Sequence, residues 1–293
     1  MHPKKTPAFA FAFALTAAAA SPALAAETAS FAVDTEVKLL SDLRTRGISD
    51  SMNRPALKLS VQAAHESGLI ALMEVNTVSK KVFLNSDGYD VLLAGGYRFG
   101  DPDGWHFGAG LAQELFPGAK FEAPAAIDLS AGVPTDFRTT KYDTTYAVLE
   151  IGYGALEGRI LNVVSKSYRG ANTAGVCGTM ISLMADPTAA LECYARGDHG
   201  SRGTWLVDLG YKVSLSPSTT LNLHAGHQKV KHFREADFSD YSIGLTHKQW
   251  GFEWNAEWVT TNTKVRELFI AVDGDKLRAT DGSRLVVSVS RKF

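Results

Sequence analysis

The feature that most constrains this chain is alternation. Bulky apolar residues and polar residues or glycines exchange places with period two in stretch after stretch: KLSVQ (58–62), WHFGAGLAQ (105–113), TWLVDLGYKV (204–213), FEWNAEWV (252–259) and LVVSVSRKF (285–293). Successive side chains of a strand point to opposite faces, so this pattern writes β-structure with one apolar and one polar face. Twelve strands are predicted, at about 33–45, 54–65, 69–78, 89–100, 105–116, 144–154, 158–168, 203–214, 219–230, 239–249, 251–262 and 284–293. No apolar run long enough for a helical span follows the first 25 residues, which excludes a helical membrane protein.

The connections sort by parity. ESG, DPDG, ALEG, SPS and QWG make short turns, while 46–53, 79–88, 117–143, 169–202, 231–238 and 263–283 are mostly longer. Outer-membrane barrels sort their connections in this way, with short periplasmic turns at one rim and long external loops at the other. The expected fold class is therefore all-β, a transmembrane antiparallel up-and-down β-barrel of about twelve strands. Aromatic placement agrees: Tyr97, Phe99, Trp105, Phe107, Tyr153, Trp250 and Phe252 flank the short turns, where an aromatic girdle belongs. The final Phe293, after an alternating strand, resembles the C-terminal pattern of bacterial outer-membrane barrels. A soluble sandwich also alternates, with its apolar faces forming a shared core, and is the minor alternative.

Lys4 and Lys5 precede an apolar run, and Ala23-Leu24-Ala25 supplies a small-x-small site, so residues 1–25 read as a signal peptide cleaved near Ala25. Residues 26–293 then form one barrel domain carrying 28 Lys+Arg against 31 Asp+Glu, a net charge of −3. That balance suggests no nucleic-acid partner. Cys177 and Cys193 lie in one Gly-rich stretch of an exported chain and are expected to form a disulfide, with two free thiols as the alternative.

Alternation sends a row of charges inward. Asp42, Arg44, Arg46, Lys58, Glu74, Asp90, Arg98, Glu114, Glu150, Asp208, Lys212, Glu253 and Glu257 fall on the predicted lumen face. An Arg or Lys facing lipid near the midplane costs about 2 to 4 kcal/mol, which favours that assignment. Either the charges pair across strands and plug a narrow barrel, or they line an aqueous path and tune its ion or solute preference. The stretch SDLRTRGISDSMNRPAL (41–57) is read as the end of strand 1, the first external turn and the start of strand 2. Leu43 and Thr45 would face outward, and Asp42, Arg44 and Arg46 would form a charged ring near the outer mouth. Loops 117–143 and 169–202 are the candidates for folding inward.

Catalytic and metal motifs are weak. His224 and His227, three apart on a strand, point to opposite faces and read as a lumen and a rim histidine. No HExxH, CxxC or GxSxG occurs. A lipid-facing Ser-His pair could still assemble across strands, and His247 beside a serine or threonine of a neighbouring strand is one candidate. No cofactor is expected.

Ser41-Asp42, Arg46-Gly47-Ile48-Ser49, Asn53, Pro55-Ala56 and His65-Glu66-Ser67-Gly68 resemble the N-terminal signature of the TorF family, proteobacterial exported proteins of uncharacterised function described as porins. Tyr89-Asp90, Gly95-Gly96-Tyr97, Phe116-Pro117-Gly118-Ala119 and the segment Tyr146 to Tyr153 are similar too. The chain departs from the family at Leu43 and Thr45, where aromatics are usual, and in its cysteine-bearing loop. The resemblance implies a porin and no catalytic residues. The expected function is an outer-membrane channel for passive diffusion of small polar solutes or ions, with the lipid bilayer as its other partner. A lipid-modifying enzyme and a non-conducting structural or adhesive barrel are the alternatives, and association of barrels stays open.

Overall fold

The computed structural model describes residues 31–128, 130–131, 133–183 and 186–293; the predicted signal peptide lies outside them. In chain order come β1 (Phe31–Leu40), the short pair β2 (Arg44–Thr45) and β3 (Ile48–Ser49), β4 (Ala56–His65), β5 (Leu69–Thr77), β6 (Tyr89–Gly100) and β7 (Trp105–Leu115). A hairpin of β8 (Lys120–Asp128) and β9 (Val133–Lys141) precedes β10 (Thr144–Tyr153) and β11 (Leu156–Val163). Helices α1 (Thr173–Ser182) and α2 (Pro187–Ala195) lead to β12 (Trp205–Ser216), β13 (Thr219–Lys229), β14 (Phe238–Gln249) and β15 (Phe252–Thr261). The hairpin β16 (Ile270–Asp273) and β17 (Lys276–Ala279) comes before the final β18 (Arg284–Lys292).

Twelve of these strands close into one antiparallel barrel in the order β1-β18-β15-β14-β13-β12-β11-β10-β7-β6-β5-β4. The seam runs from Glu36 opposite Lys292 to Leu40 opposite Ser288. Each of the twelve predicted strands corresponds to one barrel strand. The extra hairpins and both helices all lie in the long connections, which crowd one rim, while the five short turns crowd the other.

The outward row is apolar and uncovered. Leu209, Ile243, Leu245, Leu285 and Val287 are each about half exposed. Barrel strands of 8 to 12 residues bracket the length needed to cross a hydrocarbon layer. At the short-turn rim the predicted girdle forms a chain of rings: Tyr97–Phe99 at 6.3 Å, Phe99–Phe107 at 5.6 Å and Trp105–Tyr153 at 5.1 Å between centroids. Buried side chains concentrate instead under the long loops. Asn172 caps α1 by accepting from the Gly175 amide at 2.7 Å, and the Tyr194 hydroxyl of α2 donates to the Pro124 carbonyl of β8 at 3.0 Å. The expected Cys177–Cys193 disulfide joins the two helices, with Cα atoms 5.5 Å apart.

Candidate functional site

The stretch 41–57 does not continue strand 1. β1 stops at Leu40, and residues 41–53 fold into the barrel as a finger whose tip is the β2–β3 hairpin. Its two-residue turn is Arg46-Gly47, both left-handed, with φ of +52° and +76°, the geometry of a type I′ turn. Gly47 is needed twice over. A Cβ there would lie 2.4 Å from Cγ2 of Thr261, so the finger touches the wall through a residue with no side chain.

The base of the finger is built from residues that alternation had assigned to a lumen ring. Buried Asp42 accepts from Arg44 Nε at 2.7 Å and from the hydroxyls of Ser49 and Ser51 at 2.5 and 2.9 Å. Arg44 also donates to the carbonyls of Gly47 at 2.6 Å and Gly282 at 3.0 Å, and to Asn53 Oδ1 at 2.9 Å. With its side chain only 5 % exposed, Arg44 is a brace for the hairpin. Leu43 does not face outward as expected; it is buried with Phe83 and Phe116. Thr45 donates to Asp50 Oδ2 at 2.6 Å.

At the tip, Arg46 crosses to the opposite wall. It donates to Asp208 Oδ1 of β12 at 2.7 Å and to the Val207 carbonyl at 3.0 Å, and lies 3.7 Å from Asp240 of β14. Asp240 is held in turn by His224 Nε2 at 2.8 Å. Gly226 leaves the space for this meeting, since a Cβ there would come within 2.9 Å of the Arg46 guanidinium.

A second clamp holds the finger from behind. Arg169, which follows β11, donates to Asp50 at 2.7 and 3.2 Å and to both oxygens of Glu114 at 3.1 Å, with the rings of Phe83 and Phe116 each 5.3 Å from its guanidinium carbon. Burial alone would lower the Arg169 pKa. The carboxylates of Asp50 and Glu114 outweigh that and hold its proton well above the usual arginine value.

The other predicted site residues are distributed along the inner wall. Lys58 meets Glu74 at 2.7 Å, and Asp90 accepts from Asn76 at 2.7 Å. Arg98 and Arg159 share Glu150, at 2.7 and 3.1 Å. Glu253 lies between Lys248 at 3.5 Å and Lys292 at 3.6 Å, and Glu257 accepts from the Ser242 hydroxyl. Lys212 is exposed opposite Asn222 near the short-turn rim.

Asp50, Arg159, Arg169 and Asp240 were missed. The parity of β11 and β14 would have found Arg159 and Asp240, whereas Asp50 and Arg169 sit on loops, where parity says nothing. The inner row is also less polar than expected: Leu72, Leu92, Val148 and Leu161 line it beside the finger.

The finger divides the interior. A cavity of about 500 Å³ on one side is lined by Asp208, His224, Asp240 and Glu257. One of about 370 Å³ lies against the apolar stretch of wall. A third of about 400 Å³ opens among the long loops. Thr45 borders all three, and Arg46 separates the first two.

Histidine contacts with hydroxyls occur at the surface. His247 Nδ1 meets Thr219 at 2.9 Å, and His227 Nδ1, on the face opposite His224, meets Ser239 at 2.9 Å. Among the described residues, neither imidazole has a carboxylate within hydrogen-bond reach of its Nε2.

A closed barrel with an apolar exterior, an aromatic girdle and an interior of ion pairs and cavities is a transmembrane β-barrel protein. Its family follows from the sequence itself. A family model described as a bacterial protein of unknown function (Gcw_chp) matches residues 24–293, and the chain belongs to that family. A search of curated proteins finds no match. Among solved structures the chain is similar to the KdgM porin (8 % identity, TM-score 0.46, covering 89 % of this chain and 98 % of that one) and the NanC porin (10 %, 0.48, 88 % and 98 %). It is also similar to the COG4313 outer membrane channel from Pseudomonas putida F1 (9 %, 0.39, 89 % and 95 %).

Proposed function

We propose that this protein is an outer-membrane channel for passive diffusion of small polar solutes or ions, with the 41–53 finger as its constriction. The observation that supports this most directly is the crossing of the lumen by Arg46 between two cavities whose walls carry charge. On this reading the short turns face the periplasm, the disulfide-bridged helices face outward, and residues 1–25 are an export signal. The TorF-like signature belongs to the same proposal, because Arg46-Gly47-Ile48-Ser49 is the hairpin at the tip of the finger.

Lumen charges set preference by the ordinary rules of a charged pore. Arg46, Asp208, Asp240 and Glu257 line the cavity of about 500 Å³ at the finger tip; Lys58, Glu74, Arg98 and Glu150 extend the charged wall. The test is single-channel recording of the purified chain in planar bilayers, with a reversal potential measured across a KCl gradient. Discrete conductance steps are expected. A heat-modifiable, folded barrel that yields none refutes the proposal.

One observation favours a second reading, a lipid-modifying enzyme: the Thr219–His247 contact at 2.9 Å on the outward surface. Release of fatty acid from phospholipid vesicles, abolished in Thr219→Ala, would establish it; no release rejects it.

A further inference from the structure

The inner wall is apolar over one contiguous arc. On β5, β6, β7, β10 and β11, which are neighbours in the barrel, Leu72, Leu92, Ala112, Val148 and Leu161 line the cavity of about 370 Å³ beside the finger. The arc is recessed at Gly96 and Gly110, which face each other across β6 and β7. A Cβ on either would meet the opposite backbone at 2.5 Å.

Two arginines and a glutamate close this alcove on the side of the short turns. Arg98, Gly108, Glu150 and Arg159 occupy one row across four strands, and Gly108 has no side chain to separate Arg98 from Glu150. Two guanidiniums share the Glu150 carboxylate, while Asp208, opposite Arg159 on β12, is taken up by Arg46. The arginine side chains are 44 % and 54 % exposed to the interior, while that of Glu150 is 16 % exposed. Each guanidinium has five N–H donors, so most remain free for a further acceptor. An apolar wall beside two guanidiniums with free donors complements a molecule with a hydrocarbon body and one anionic end, and a planar carboxylate suits that fork geometry.

We infer that the alcove binds amphipathic monocarboxylates. Their carboxylate docks on Arg98 and Arg159, and their hydrocarbon lies along Leu72, Leu92, Val148 and Leu161. The inference rests on the channel proposal for its role, a resting place in transit, and not for the binding itself.

The test uses the full chain, titrated calorimetrically in detergent and recorded in bilayers, with hexanoate, acetate and hexylammonium as probes. Four additional methylenes, even half-buried, correspond to a preference for hexanoate over acetate of about ten-fold or more. Hexylammonium has the same body and the wrong sign, and should bind more weakly than hexanoate. Arg98→Gln with Arg159→Gln should remove the preference for the anion, and Leu92→Asn should reduce the chain-length dependence. The probe series on the unaltered protein stands whether or not these variants fold. Equal binding of acetate and hexanoate, or tighter binding of hexylammonium, overturns the inference. Conductance without chain-length dependence would leave the channel and remove the alcove; hexanoate binding without conductance would do the reverse.

Discussion

Replacing Arg46 with Gln isolates the finger tip from the finger itself. The rest of the loop is held independently, by Arg44 on Asp42, Gly47, Gly282 and Asn53 and by Arg169 on Asp50, so the hairpin should stay in the barrel. What is lost is the crossing to Asp208, a hydrogen bond between charged groups whose removal costs about 1.5 to 3 kcal/mol. Two consequences follow for transport. The shorter side chain joins the cavities of about 500 and 370 Å³, so conductance rises. Loss of one positive charge within ~4 Å of a passing ion changes its energy by ~1 kcal/mol in water, about five-fold in permeability, before screening by salt. The two ions respond in opposite directions, so the K⁺ to Cl⁻ permeability ratio should increase by up to about 25-fold at low salt, read as a shifted reversal potential. Asp208→Asn should move it the opposite way. The double variant should return it towards the starting value while conductance stays raised. Unchanged conductance and reversal potential in Arg46→Gln, with the barrel folded, would refute the placement of Arg46 at the constriction.

Gly47→Ala forces a Cβ to 2.4 Å from Thr261 at a φ of +76°, and should displace the finger at a cost of about 1 to 3 kcal/mol, seen as larger, noisier conductance and a lower unfolding temperature. Replacing Cys177 and Cys193 with Ser opens a loop of sequence separation 16 and should cost about 3 kcal/mol of stability in the loop cap, detected as faster proteolysis of α1 and α2 with the barrel intact. His232 stacks on His199 at 4.3 Å between centroids, and burial, His199 and Lys231 lower its pKa from the ordinary 6.5. A base with a depressed folded pKa contributes stability above its unfolded value and loses it as pH falls below about 6.5. Proteolysis of the loop cap should accordingly quicken on acidification, and less so in His232→Gln. Leu245→Arg, on the outward row, should block assembly at a cost of about 2 to 4 kcal/mol, measured as loss of heat-modifiable migration.

The barrel was legible in the sequence because its rules are local. Side-chain direction repeats every two residues, and lipid outside requires an apolar row, so alternation, turn chemistry and loop parity together specified twelve strands, their order and the inward direction of Lys58, Glu74, Arg98, Glu150 and Asp208. Leu92, Val148 and Leu161 face inward although they are apolar. Parity with Asp90, Glu150 and Arg159, each two residues away on the same strand, sends them there, and the strand register agrees. The tertiary structure alone decided the finger. Residues 41–53 carry strand-like alternation, but Arg46-Gly47 makes a two-residue turn, and Arg46 finds its partners 162 residues away in Asp208 and farther still in Asp240. Ion pairs of that separation leave no periodic trace, since they depend on where a closed barrel brings opposite walls together. The sequence by itself determined a charged lumen and an apolar exterior; which charges meet across that lumen, and which loop enters it, was decided by closure of the sheet.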